Sequence, residues 1–536
     1  MTDSVGSQAM ADLTQPAGHP TDPSANRGVE WIQTHLSHVF LTEERVYKFR
    51  KPVDLGFVHF ATRFERNADC EREVALNRRL APDVYLGVAP LMTDGSQHWI
   101  GSMCSWIPTA SDPPEYCVVM RRLPTGRDAL SLLDKGVLSE TQLDRLAGRI
   151  SEFHERCGLG TPAPFTPEDW HARCLDPVEQ NFRSLADAWN EPFLSELLAE
   201  TADAMRAFGE RHDERFDRRR RAGRAVDGHG DLHLQHVWFE TDRSAPIIID
   251  CLEFNERLRR IDAAAEVAFP AMDLHYRGHD DLAERFLRNY ARDSDDFDLY
   301  GVIDFFISYR ASVRAKVAAI SAADDDIDAG QRSRAAASAR RHIELANEAI
   351  GARPDAPLVL VGGVVGSGKS TVANALADRV GGVVVSSDRV RKRLAGLAPT
   401  ERTRAVPDEG LYAADAIERT YAGLLDRARP IVKSGRMAIL DATFGRQKHR
   451  AMAAELAREL RVPIHIVEVR CAAAVAVARL AQREEMQTDP SDAGPALHAQ
   501  SVARFEPVTD AEHGHLIHTD IADWRSLIPQ LARELT

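Results

Sequence analysis

Eight consecutive residues, Gly363-Val364-Val365-Gly366-Ser367-Gly368-Lys369-Ser370, have the types and spacing needed to hold phosphate groups. They fit the pattern G-x-x-x-x-G-K-[ST] and lie between an apolar run, LVLVGG, and a segment with helical spacing, KSTVANALADRV. Glycines let backbone N–H groups turn inward on an anion, and the helix N-terminus adds partial positive charge. Lys369 is expected on the outer phosphates and the Ser370 hydroxyl on magnesium. Gly363, Gly366, Ser367, Gly368, Lys369, Ser370 and Thr371 are the expected nucleotide contacts, with ATP and Mg2+ as ligands.

Three further groups belong to the same chemistry. Asp441 ends the apolar run MAIL, where a strand-end carboxylate holds a magnesium shell or caps the next helix. Asp388 and Arg391 in SSDRVRKRL stand three apart on one helical face, as substrate base and substrate clamp. Capping by Ser387 or Asp388 is the competing reading. Arg479 and Arg483 stand four apart in VAVARLAQREE, spaced to converge on a transferring phosphoryl group from a lid, or to form a solvated face with Glu484 and Glu485.

A second cluster lies upstream. HGDLHLQH, His229 to His236, precedes APIIID, which ends in Asp250. Asp231 in a loop, a possible metal ligand at His236 and Asp250 at a strand end are parts suited to orienting a hydroxyl and binding magnesium. SHVFL-TEER-VYKFRK reads as two short strands joined by a turn, with Lys48 on the second, and EREVALNRRL as a helix carrying Glu71 and Glu73. Lys48 with a glutamate would hold nucleotide phosphates, although Lys51 is equally available. His229 and His233 read as loop-holding histidines.

These residues need elements to position them. From LVLVGG onward, strands alternate with helical segments through GGVVVSS, RMAILDATF, PIHIVEVR and HLIHTD, which predicts a parallel sheet covered by helices. Residues 260–350 have helix-period apolar spacing, and GARPDAP punctuates the chain after them. The expected organisation is a disordered tail over 1–27, rich in Ser, Thr, Pro, Gly and Asp, then domains at 28–348 and 352–536. A length of 536 residues requires at least two cores. The net charge of −14 disfavours nucleic acid and anionic membrane as partners. Seven scattered cysteines without CxxC spacing, no long apolar run and no signal-like start predict reduced thiols in a cytoplasmic protein.

On these motifs, residues 352–536 resemble the small-molecule and toxin-type P-loop kinases: gluconate kinase, zeta toxin, chloramphenicol phosphotransferase and the kinase domain of polynucleotide kinase. The resemblance implies phosphoryl transfer to a hydroxyl, with Asp388 as base, Arg391 on the substrate, and Arg479 and Arg483 on the lid. HGDLH and the later IIID make the N-terminal domain similar to the aminoglycoside phosphotransferases, a branch of the two-lobed protein-kinase-like fold. That implies Asp231 as catalytic aspartate, Asp250 as magnesium ligand, and Lys48 with Glu73 on the phosphates; Glu253 would assist the metal. Two features depart from the family. His236 stands where it has asparagine, and only Gly56 marks a shortened glycine-rich loop. The acceptor is then a sugar, sugar acid or aminoglycoside-like molecule. Competing readings are a P-loop kinase controlled by a pseudokinase-like N-terminal domain, and a nucleotide-driven switch or toxin-type partner.

Overall fold

A computed structural model describes residues 6–54, 59–188, 192–399, 401, 403, 409–486, 495–509, 512, 514–521 and 523–535. Gly56 lies outside them, as does the side chain of Arg483. Backbone contacts divide the chain into two units, Met1–Pro177 with Asp217–Asp273, and Val178–Phe216 with Leu274–Thr536.

In the first unit, six antiparallel strands run in the order Glu30–Gln33, Ser37–Leu41, Arg45–Arg50, Tyr116–Arg121, Tyr85–Thr93, His98–Ile100. The two-residue period of Arg45–Arg50 decides its use. Tyr47 and Phe49 pack into a core with Phe40, Ile100 and Val119, which leaves Lys48 and Arg50 on the face toward the helix Arg63–Asn77. That helix starts with a capping box between Thr62 and Glu65. Cys70 and Val74 seat it against Val88, Tyr116 and Val118. Farther along, Ala225–Asp227 pairs with Arg260–Asp262, and Val237–Trp238 with Ile247–Ile248. The second of these short pairs lies between the HGDLHLQH loop and Asp250.

The N-terminal segment departs from expectation. Ser7–Leu13 is a helix, and Met10 and Leu13 are buried in the core under Tyr47 and Phe49. Asp22 accepts hydrogen bonds from Ser24, Thr42 and Tyr47. A polar composition predicted disorder, but a few apolar side chains and one well-bonded carboxylate suffice to dock residues 6–27 on an existing sheet.

In the second unit, five parallel strands follow the order Val383–Ser386, Ala438–Asp441, Leu358–Gly362, Ile464–Arg470, Gly514–His518. Leu358–Gly362 and Ala438–Asp441 are buried along their whole length, as strands covered on both faces must be. Val372 and Leu376 of the helix Lys369–Val380, and Ile528 and Leu531 of the helix Ile528–Leu535, fill the core beside Val359, Val361 and Ile439. Each such side chain contributes about 1.5–3 kcal/mol by leaving water. The alternating strand pattern is met, and the fold is mixed α/β.

The contacts also place residues 274–350 with the parallel sheet, a different division from the one at 348/352 read from composition. Arg436, just before the strand Ala438–Asp441, is 2–3% exposed and forms a bidentate pair with Asp304 at 2.8 and 2.9 Å. Its Nε lies 2.8 Å from Glu284. Burial opposes the charge of both acids, yet the guanidinium outweighs it and holds each carboxyl below its ordinary range. Arg427 pairs with Asp295, and Arg389 with Asp293. Ion pairs between partners a hundred residues apart override the local punctuation that suggested a boundary.

Candidate active sites of the two units

The phosphate-binding loop leaves the buried strand Leu358–Gly362 and enters the helix Lys369–Val380. Gly363, at φ 153°, is fixed by space as well as conformation: a Cβ there would stand 2.3 Å from the Val469 carbonyl oxygen. Gly366 and Gly368 have φ of 84° and 90°. Gly368 is the N-cap and supplies no side chain to the first helical turn, so its N–H groups are left for an anion. Lys369 and Ser370 line a cavity of about 440 Å³, whereas Thr371 is exposed outside it. Asp441 sits opposite Val361 and Ser386 in the parallel registers, at the sheet edge from which the loop departs. A glycine cradle, one ammonium, one hydroxyl and one strand-end carboxylate fit a nucleotide with its magnesium.

Asp388 and Arg391 line the same cavity. Their helix begins at Ser387 with Ser386 as N-cap, and no side chain makes the cap bond. Arg391 Nη1 instead lies 2.5 Å from Asp388 Oδ1, and its guanidinium covers the Tyr412 ring at 4.8 Å. Arg446, Lys448 and Arg504 bring further positive charge, against Glu418.

Arg479 is not poised over the cavity. Its Nη1 donates to the Thr519 hydroxyl and the Ser367 carbonyl at 2.9 and 3.3 Å, and its Nη2 to the Thr519 carbonyl at 2.9 Å. A guanidinium with three of its five N–H groups given to such acceptors braces the back of the phosphate loop. Arg483, its expected companion, has a side chain outside the described residues.

Two features of this site have no signature in sequence. The helix Pro495–Ala503 grips Val365 from both sides: the Ser501 hydroxyl accepts from its N–H at 3.3 Å, and His498 Nδ1 donates to its carbonyl at 2.7 Å. Tyr421 Oη meets the Thr443 hydroxyl and the Phe444 N–H at 3.0 Å each, holding Phe444 at φ 45°. The Thr443 carbonyl in turn accepts from Gly363 N–H.

In the other unit, Lys48 Nζ lies 2.9 Å from Glu73 Oε1 and 3.2 Å from Asp250 Oδ1. Lys51, the alternative, points to Gln33 on the surface. Arg50, two residues along the same strand face, was missed by sequence reasoning. It pairs with Asp69, Glu73 and Glu253 at 2.7, 2.6 and 2.5 Å. Glu253 is therefore turned away from a metal role; burial pushes its carboxyl up despite Arg50. Lys48 holds Asp250 well below the usual carboxylate range. Asp250 itself has φ 62°, in the left-handed region.

His236 Nε2 lies 3.5 Å from Asp250 Oδ2, and His236 Nδ1 2.9 Å from the Asp231 carbonyl oxygen. Asp231, half-exposed, has an oxygen 3.6 Å from His233 Nε2. His229 is buried, donates to the Ile249 carbonyl, and is pushed down to about 3 by that burial, so it stays neutral as a holder of the loop. Lys48, Glu73, Asp231, His236 and Asp250 thus meet as the sequence order implies.

Residues 358–508 match the family described as "AAA domain" (AAA_33). Over 34% of this chain and 97% of its own, a gluconokinase of Sinorhizobium meliloti 1021 superposes at 18% identity with a TM-score of 0.24. A choline/ethanolamine kinase family protein of Mesorhizobium loti does so over 61% and 93%, at 12% identity and a TM-score of 0.33. Sequence relatives reach much farther. The uncharacterized protein Rv2004c of Mycobacterium tuberculosis and Mb2027c of Mycobacterium bovis are each 34% identical over 500 residues, covering 91% of this chain and 91% of their own. The chain belongs to the family of these mycobacterial proteins.

Proposed function

We propose that the protein is an ATP-dependent kinase that transfers the γ-phosphoryl group to a hydroxyl of a small molecule, a sugar, sugar acid or aminoglycoside-like acceptor. The unit that contains the P-loop supplies one nucleotide site, and the unit that contains Lys48 and Asp231 a second; the expected compartment is the cytoplasm. The observation that carries the reading is one cavity lined at once by Lys369, Ser370, Asp388 and Arg391. A phosphate-holding lysine beside an aspartate–arginine pair is what transfer to an alcohol needs, and a nucleotide switch has no use for the pair.

Lys369 places positive charge at the outer phosphates, and the glycine loop orients them through backbone N–H groups. Arg391 holds the acceptor, and the Asp388 carboxylate takes the proton leaving the attacking hydroxyl. Magnesium, when bound at Ser370 and Asp441, neutralises phosphate charge. In the N-terminal site, Lys48 with Glu73 would steady the phosphates and Asp231 would receive the hydroxyl proton.

The test is acceptor-stimulated ATP consumption with magnesium over a panel of sugars, sugar acids and aminoglycosides, for wild type, Lys369→Ala and Asp231→Asn. Loss in each variant on different acceptors means two kinases. Loss only in Lys369→Ala favours the second reading, an N-terminal domain that binds a ligand and regulates; the imidazole of His236 against Asp250 is the observation behind it.

A further inference from the structure

The N-terminal site differs from the family it resembles at one donor, and the geometry around that donor is specific. A carbonyl oxygen only accepts, so the 2.9 Å contact with the Asp231 carbonyl places the proton of a neutral His236 ring on Nδ1. Nε2 then carries a lone pair, and it faces Asp250 Oδ2 at 3.5 Å. Metal-binding histidines are oriented in this way, with the outer ring N–H given to a carbonyl. Asp250 is prepared from its other side, because Lys48 occupies Oδ1 at 3.2 Å and leaves Oδ2 toward the imidazole.

The spacing suits an ion. Two donors each about 2.1 Å from one cation stand roughly 3.0 Å apart at a right angle and roughly 3.4 Å apart at a tetrahedral angle. The observed 3.5 Å needs little adjustment. The Asp231 carboxylate lies 3.8 Å from His236 Nδ1, on the protonated side of the ring, and is no part of this pair. The ring cannot swing freely: the His233 ring centroid lies 3.7 Å from that of His236, and both side chains are largely buried.

We propose that His236 Nε2 and Asp250 Oδ2 form a mixed nitrogen–oxygen site selecting a first-row transition cation, Mn2+ before Mg2+, in the N-terminal unit. The inference rests on the kinase reading of that unit only for its purpose, not for its binding. Imidazole is a poor ligand for magnesium and a good one for transition ions, whereas the amide oxygen of asparagine suits magnesium. The P-loop site, with the oxygen donors Ser370 and Asp441, keeps the ordinary preference, so one chain would hold two sites of different metal demand.

The experiment adds Mn2+ to the full-length protein without nucleotide and records pulsed electron paramagnetic resonance. Wild type should show coupling to an imidazole 14N, replaced by the 15N frequency when histidine is 15N-labelled. His236→Asn should abolish the coupling and lower the preference of Mn2+ over Mg2+, measured by competition, at least tenfold. The P-loop donors Ser370 and Asp441 are oxygens, and a coupling from His449, which lines that cavity, would persist in His236→Asn and count against the proposal. Absence of nitrogen coupling in Mn2+-saturated wild type overturns the proposal, as does coupling that persists in His236→Asn. The isotope arm stands if that variant fails to fold. Neither arm reads phosphoryl transfer, so a protein that binds Mn2+ through nitrogen but turns over no acceptor refutes the kinase reading alone.

Discussion

Arg391 Nη1 lies 2.5 Å from Asp388 Oδ1, inside the cavity that Lys369 and Ser370 line. The pairing aims the aspartate, and it leaves other guanidinium donors for an acceptor. Asp388→Asn should lower kcat roughly 10²- to 10⁴-fold, the range of a lost general base, with ATP affinity little changed. Steady-state kinetics beside fluorescent-nucleotide binding checks both. Retained kcat would remove Asp388 from the proton path.

Gly363→Ala should abolish stabilisation by nucleotide. An added Cβ would meet the Val469 carbonyl at 2.3 Å, and φ of 153° is strained for alanine. The loop must move off its neighbour, displacing the N–H groups that would face phosphate. In thermal unfolding with and without ATP, wild type should shift upward and the variant should not.

The phosphate loop was legible because its chemistry is contiguous: eight residues contain the turn, the charge and the helix start. Lys48, Glu73, Asp231 and Asp250 were legible as an order of parts along the chain, and the structure brings them together. Arg50 was not, since nothing in VYKFR distinguishes a surface arginine from one buried among three carboxylates. His498 and Ser501 grip Val365 from more than 130 residues away, and Tyr421 braces Phe444 from another helix. Such contacts arise from tertiary packing, and no local period or motif encodes them. Composition misled at the N-terminus for the converse reason: it averages over 27 residues, whereas docking needs only Met10, Leu13 and Asp22.

Arg436→Ala should be strongly destabilising, by about 3–5 kcal/mol, because it leaves Glu284 and Asp304 buried without their cation. Arg458→Ala, which breaks an exposed pair with Glu455, should cost under about 1 kcal/mol. Urea unfolding of the two variants checks the contrast. Equal effects would mean that Arg436 does not anchor residues 274–350 to the sheet.

The buried imidazole of His342 gives an acid-side prediction. It stacks on Tyr276 at 3.8 Å and donates to the Ser338 carbonyl at 2.7 Å, and burial pushes it down from 6.5 to about 4. A base with a depressed folded value is protonated first in the unfolded chain. Its contribution is therefore intact above pH 6.5 and is lost as pH falls from 6.5 toward 4. Between pH 7 and pH 5 the loss from this group is roughly 2 kcal/mol. His342→Gln should start less stable at pH 7, through the missing stack, yet lose about that much less on acidification. Denaturant midpoints at both pH values for the two proteins decide it. Parallel declines would show that His342 is already protonated in the folded protein or is solvated.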